Sequence, residues 1–443
     1  MLWLKKDSRL TSENFLCFFN GSKLNNFMFL NIIGYAIFKD SIQLLADICQ
    51  TIIVVGTLVA FCTEGRFFLR NRVFQLLCLS ILIQMCSWLS SKYYINDYAL
   101  ALPSVKSLAY LFFFIGIAYW LKGEQKKIII VLLSFCFGVI FTFGYHSNFF
   151  SVFATGLEGA RVDFSYRNAQ HGSLISGACL LFFVTLICNS KTQILGARKI
   201  SMLCGIIIFC ILSIILQSRQ SWLAITMALA ILPFFMDGAV GARRNIYIIY
   251  SILFISIFIL YHVPFVKERL SSGFSHAGDI HAIITGDWNN VQNFSIGVRL
   301  KTWLEALKWF MEYPLFGTGF GSQSLVITLS DTLPDYITRE FRHLHNSNME
   351  TLVCWGVAGF LTLYYTLFYV ARQVLSYPDS SCFIKMLAVS FIIYWLIINN
   401  FESFFYMRSG QWVFSVFLGA IYSMALHREI KAFTKERYEN LCH

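Results

Sequence analysis

The sequence predicts an all-α fold: a polytopic integral membrane helical bundle of about twelve transmembrane helices with one long outer loop. Three observations predict it. Of 443 residues, 57% are hydrophobic and only 13% charged, against about 25% charged in an average soluble domain. The apolar residues collect in runs of the length a helix needs to cross hydrocarbon. The basic residues collect in short clusters between those runs. Mean hydropathy is +0.62, with 45 Phe, 21 Tyr, 10 Trp and 6 Pro. Too few charges remain to coat a water-soluble globule, which excludes a soluble enzyme, a disordered chain and a secreted disulfide scaffold. The net charge of +11 does not point to nucleic acid, which calls for a basic patch on a folded domain.

Nine runs precede the long loop, centred on 24–38, 45–62, 72–90, 105–121, 128–145, 171–188, 200–217, 221–236 and 246–262. They make residues 1–262 a block of nine transmembrane helices with short connections, the first of them short and interrupted. Residues 263–345 form the long loop. Three further runs, 348–370, 384–400 and 411–426, fill residues 346–426, and 427–443 is a basic tail. Each run must be a helix, because in lipid every backbone N–H and C=O has to be paired within its own segment.

Lys and Arg in the connections set the orientation. With a cytoplasmic N-terminus, 21 of the 35 basic residues fall inside, from Lys5, Lys6 and Arg9 through Lys191, Arg198 and Lys199 to Arg372, Lys385 and the tail. Seven of the other 14 lie in the long loop, where the rule does not count them. Both chain ends are therefore expected in the cytoplasm. Lys5, Lys6 and Arg9 precede polar sequence, so no cleavable signal peptide is expected. The 13 cysteines sit almost wholly in apolar runs and the long loop has none, so no disulfide framework is expected.

Within the long loop the spacing predicts a helix over 296–311, with Leu300, Trp303, Leu304, Leu307 and Met311 on one face. It lies on the membrane face or covers the bundle. It stops at Tyr313-Pro314, ahead of Gly317-Thr318-Gly319-Phe320-Gly321. Such glycines permit either a close approach to a ligand or a plain turn.

Four outer features carry candidate chemistry: Arg161 before the sixth span, Arg219 in the tight Gln217-Ser218-Arg219-Gln220 turn, Arg299 opening the loop helix, and His343-Leu344-His345-Asn346 where the loop re-enters the membrane. Arginines at a boundary often only reach for headgroups. Arg219 departs from that reading, because a short outer turn needs no charge and the positive-inside rule disfavours one. Converging guanidinium forks suit a pyrophosphate and offset the charge that builds on it as it leaves. His345 is the candidate general base near neutral pH, with His343 its competitor. A polar interface residue is the plain alternative for either. Asn346 is placed to orient the imidazole. Glu350 lies four residues on, on the same helical face, although Ser347-x-x-Glu350 also reads as a capping box. Trp303 and Gly319 are further candidate substrate contacts. No metal motif is present, and Asp279, Asp287, Asp331 and Asp335 are dispersed, so neither a metal nor a cofactor is expected.

These residues resemble the O-antigen ligase superfamily of bacterial envelope glycosyltransferases, which includes O-antigen ligases, O-antigen polymerases and pilin-type protein O-oligosaccharyltransferases. The resemblance runs over residues 160–360, from Ser218-Arg219-Gln220-Ser221-Trp222-Leu223 through Gly297-Val298-Arg299-Leu300 and Pro314-Leu315-Phe316-Gly317-Thr318-Gly319-Phe320-Gly321 to His343-Leu344-His345-Asn346, Glu350 and Gly356-Val357-Ala358-Gly359. It implies an inner-membrane enzyme with a periplasmic loop and site. There a glycan on an undecaprenyl-pyrophosphate carrier would pass en bloc to an acceptor. Arg219 and Arg299, helped by Arg161, would grip the pyrophosphate, and His345 would take the acceptor proton. The acceptor would be lipid A-core for a ligase, pilin for an oligosaccharyltransferase, or a growing glycan for a polymerase. Ten residues lie between Arg161 and Gly172, similar to a pattern of some polymerases, but no matching pair starts from Arg299, where position 310 is Phe. A transporter of lipid-linked glycans is the competing class. It predicts midplane charges and repeat symmetry, and the sequence has neither.

Overall fold

The computed structural model describes residues 22–166, 168–189, 196–236, 239–274, 296–377 and 380–442. Lys5, Lys6, Arg9, Lys191, Asp279 and Asp287 lie outside the described residues. All secondary structure among the described residues is helical. α1 (Ser22–Phe38), α2 (Gln43–Thr63), α3 (Gly65–Arg70) and α4 (Arg72–Tyr94) follow one another through tight turns. α5 (Lys106–Ala109) passes through a 3-10 turn into α6 (Phe114–Leu121), and α7 (Gln125–His146) and the short α8 (Phe149–Leu157) come next. Then come α9 (Ala169–Cys188), α10 (Ala197–Ile215), α11 (Arg219–Ile231), α12 (Ala239–Tyr261) and α13 (Pro264–Phe274). α14 (Ile296–Glu312), α15 (Ser322–Thr328) and α16 (Asp335–Glu340) belong to the long loop. α17 (Ser347–Leu375), α18 (Cys382–Ile398) and α19 (Arg408–Cys442) complete the chain.

Seven of the described helices are long and apolar enough to cross a membrane: α2, α4, α7, α9, α10, α17 and α19. α12 and α13 pass the same test only as a pair bent by 91°. Three of the twelve expected runs form shorter apolar helices, Lys106–Leu121, Arg219–Phe235 and Cys382–Ile398. The reasons are local. A 3-10 turn interrupts the first, and Pro233 tightens the end of the second. The third has 17 residues, or about 26 Å at the helical rise, against a hydrocarbon core of about 30 Å. Large apolar side chains stay more than half exposed along the helices, among them Leu58, Leu82, Phe137, Ile207, Phe254 and Phe258. In water such a surface would drive aggregation, whereas lipid solvates it. The chain is a multi-pass membrane protein.

Two compact units make up the chain. The first comprises residues 1–76, 112–145 and 414–443. Within it α1 packs on α2, and α6 contacts α2. Trp120 Nε1 donates to Thr57 Oγ1 at 3.1 Å, and Lys39 Nζ ties the α1–α2 turn by donating to Asp47 at 3.1 Å and Gln50 at 2.7 Å.

The second unit comprises residues 77–111 and 146–413. Its centre is α9, α11 and α18. The buried Tyr394 Oη donates to Leu174 O at 3.0 Å, and Ser221 Oγ donates to Ser173 O at 3.2 Å. These bonds hold the head of α11 against α9, where nonpolar packing alone would let the helices slide. Outside the spans, α14, α15 and α16 pack around Val298, Ala306, Val326, Ile327, Leu333, Ile337 and Leu344, and this core continues onto Val353 of α17. The helix expected over 296–311 is thus present as α14, but the side it buries carries Val298, Thr302 and Ala306, while Leu307 and Met311 of the expected apolar face are exposed.

Candidate active site

The site is built around the turn between α10 and α11. Gln217 sits there in the left-handed region, at φ 51°, a conformation that costs a non-glycine residue about 1–3 kcal/mol. What holds it is a pair of bonds to two other segments. Its side-chain Nε2 donates to Gly159 O at 2.8 Å, and its own carbonyl accepts from Arg269 Nε at 3.2 Å. Arg219 follows two residues later. One buried glutamine thereby ties together the segments that carry Arg161, Arg219 and Arg269.

Those three arginines and Arg299 line a single pocket of about 280 Å³, together with Asn168, Gln170, Ser218, Gln220, Leu223 and Phe401. Arg219 Nη1 is buried and has no hydrogen-bond partner. Arg161 reaches Asn168 Oδ1 at 3.5 Å. Its pKa is pushed down by burial first and then by Arg269, Arg219 and Arg299, with Asp163 opposing. Arg299 is also lowered by burial, with Glu402 opposing. Guanidinium groups stay protonated under such pressure, so the pocket is a concentrated positive field. It suits an anion of several charges.

His345 stands beside this field. Its φ is 51°, a region in which histidine is enriched among non-glycine residues. Its Nδ1 is 2.8 Å from Glu402 Oε1, on the turn between α18 and α19. Burial alone would raise the pKa of Glu402. The hydrogen bond and charge of His345, the Ser403 N–H at 3.2 Å and the Arg299 charge outweigh it and hold the carboxyl below its ordinary value. An ionised Glu402 accepts the Nδ1–H, which leaves Nε2 as the basic nitrogen.

Asn346, placed by the sequence to orient the imidazole, does something else. It is the N-cap of α17, and its side chain accepts from Asn348 N at 3.0 Å and Met349 N at 3.2 Å. Nor does Glu350 close a capping box from Ser347. Its Oε1 accepts from Leu344 N at 3.0 Å and Ser403 Oγ at 2.6 Å, with His343 Nδ1 at 4.0 Å. Trp303 Nε1 donates to Leu344 O at 2.7 Å. Leu344, between the two histidines, is therefore clamped at its N–H, its C=O and its buried side chain. That clamp fixes where His343 and His345 leave the chain.

Gly319 belongs to a different structure. α17 is broken at Gly356, with φ 60° and ψ −164°. The break frees backbone groups that the Pro314–Gly319 strip pairs. Thr318 N donates to Val353 O and Gly319 N to Cys354 O, at 3.1 and 2.9 Å. Val357 N donates to Pro314 O and Ala358 N to Leu315 O, at 2.8 and 3.1 Å. The glycine run is a splint for a broken helix. Close backbone approach requires Gly317, where a Cβ would lie 2.4 Å from Val353 O.

Two site residues escaped the sequence reading. Arg269 looked like any basic residue of a long loop. Glu402 carried a findable signal, a lone carboxylate in a short outer turn. Among the described residues, no group of three or more His, Cys, Asp or Glu could hold a metal ion.

Residues 204–364 match the family model described as O-antigen ligase. The matched stretch contains Arg219, Arg269, Arg299, His345 and Glu350, while Arg161 and Glu402 lie outside it. No curated protein matches the chain. Over this stretch, which is less than half of the chain, the protein is similar to the O-antigen ligase family.

Proposed function

We propose that the protein transfers a glycan en bloc from an undecaprenyl-pyrophosphate carrier to an acceptor at the periplasmic face of the bacterial inner membrane, as an O-antigen ligase acting on lipid A-core. The observation that carries this reading is the four-arginine pocket with Glu402 linking Arg299 to His345. Arg161, Arg219, Arg269 and Arg299 would hold the diphosphate of the donor. His345 Nε2 takes the proton of an acceptor hydroxyl. The hydroxyl oxygen then attacks the anomeric carbon and the bond from that carbon to the phosphate oxygen breaks, with inversion. The bonding pair goes to the diphosphate, where the guanidinium donors meet charge that is larger in the transition state than in the bound donor. Glu402 stabilises the imidazolium until its proton is lost.

The test supplies purified protein with lipid-linked glycan and offers lipid A-core, pilin and a second lipid-linked unit in parallel, in excess chelator. Labelled lipid A-core is the expected product. Labelled pilin or a lengthened lipid-linked glycan reassigns the protein to one of the other two activities. A strict need for divalent cation overturns the metal-free chemistry. His345→Ala should insert normally and stop transfer. Arg219→Lys should impair it, because a point charge does not replace a fork of donors.

A further inference from the structure

Ser218 occupies the N-cap position of α11 without capping it. Its backbone is extended, at φ −99° and ψ 103°, and its carbonyl takes the first helical bond from Trp222 N at 3.0 Å. Its hydroxyl accepts nothing from the helix. The residue is 3% exposed, and its Oγ is buried with no hydrogen-bond partner. Asn346 and Ser381, at the heads of α17 and α18, do accept from their helices. A buried hydroxyl left unpaired is costly, and capping would have relieved the cost. Ser218 lines the arginine pocket. There it meets a second unpaired donor, Arg219 Nη1.

The same corner of the pocket is the N-terminus of a 13-residue helix. The first turn of a helix has N–H groups with no intrahelical acceptor and carries the positive end of the helix dipole. Such a terminus receives a phosphoryl oxygen readily. We propose that Ser218 Oγ, the first-turn N–H groups of α11 and Arg219 form a cradle for one phosphoryl group of a diphosphate, leaving the other to Arg161, Arg269 and Arg299. Ser218 is then a binding residue, its O–H donating to a phosphoryl oxygen. This rests on the reading of the pocket as a diphosphate site.

The test measures binding of inorganic pyrophosphate and of farnesyl diphosphate to the full-length protein in detergent, with the melting temperature of the ligand-free protein alongside. Wild type should bind both. Ser218→Ala should weaken both by about tenfold, the size of one hydrogen bond to a charged group, and leave the melting temperature unchanged or raised, since it removes an unpaired buried hydroxyl. Ser218→Thr, which keeps the hydroxyl, should restore binding. A lowered melting temperature with unchanged affinities would make Ser218 an ordinary cap and overturn the proposal. So would a loss confined to farnesyl diphosphate, which would put the hydroxyl on the prenyl side. If wild type binds neither probe, the diphosphate reading itself fails. If Arg299→Gln weakens both and Ser218→Ala neither, that reading stands and the Ser218 cradle falls.

Discussion

A protonated Glu402 would leave His345 free to take either tautomer, and only one presents a basic Nε2. The direction of the Glu402 shift therefore matters. Its folded pKa lies below the ordinary 4.5. The stability its ionisation contributes is complete above the unfolded value and is lost as pH falls through the folded one. Melting curves of wild type and Glu402→Gln should differ most at neutral pH and draw together as pH falls below the ordinary carboxylate range. A gap that does not narrow in acid would mean that charge is not the source. In transfer, Glu402→Gln should cost roughly 10²-fold or more, the range for a disabled general base. A wild-type rate would reduce the carboxylate to a structural role. Arg219 was legible because it is a charge in a short turn that needs none, Arg299 because it opens the loop helix, and His345 because it stands where the loop re-enters the membrane. Arg269 was not, because what singles it out is a bond to the carbonyl of Gln217, 52 residues away.

At the scale of elements, the break in α17 shows where apolar periodicity stops being informative. The run 348–370 reads as one span, and the helix does extend over Ser347–Leu375. The kink at Gly356 leaves the apolar pattern intact, so hydropathy cannot register it. Nor can local sequence reveal that the Gly317-Thr318-Gly319 run pairs with it, since the partners lie more than 30 residues away. The turn at Gln217, by contrast, was visible as polar residues between two apolar runs. Gly356→Ala should be severely destabilising. Its φ and ψ fall in a region essentially reserved for glycine, worth about 1–3 kcal/mol in strain. Its Cβ would also lie 2.4 Å from Leu315 C and O, which forces the splint away and orphans its hydrogen bonds. Gly144→Ala in α7 is the control. Nothing lies within 4 Å of its Cβ, and an interior Gly→Ala change favours a helix by about 0.5–1 kcal/mol. A large fall in melting temperature for the first, with none for the second, is the expected result. Equal effects would deny the splint.

At the scale of the second unit, the pocket constrains which helices cross the bilayer. Arg161, Arg219, Arg269, Arg299 and Phe401 line one pocket, so an even number of crossings must separate each from the next. α9 and α10 lie between Arg161 and Arg219, and both qualify as spans. Between Arg219 and Arg269 lie α11 and α12, and between Arg299 and Phe401 lie α17 and α18. If α17 crosses, α18 must cross as well, although it is short for hydrocarbon of average thickness. If α12 crosses, so must α11. Local bilayer thinning accommodates such a mismatch at modest cost. The basic residues agree, with Arg198 and Lys199 in the first turn of α10, and Arg372 and Lys385 flanking the α17–α18 turn. This predicts a labelling pattern for single cysteines placed in a cysteine-free chain and probed with a membrane-impermeant maleimide in cells with a permeabilised outer membrane. The exposed positions Glu268 and Asp331, as Glu268→Cys and Asp331→Cys, should label. Arg198→Cys and Tyr377→Cys, equally exposed, should label only after the inner membrane is broken. Labelling of Tyr377→Cys in unbroken cells, alongside Asp331→Cys, would mean that α17 fails to cross, and α18 crossing alone would then leave Phe401 and Glu402 on the wrong side of the membrane from His345.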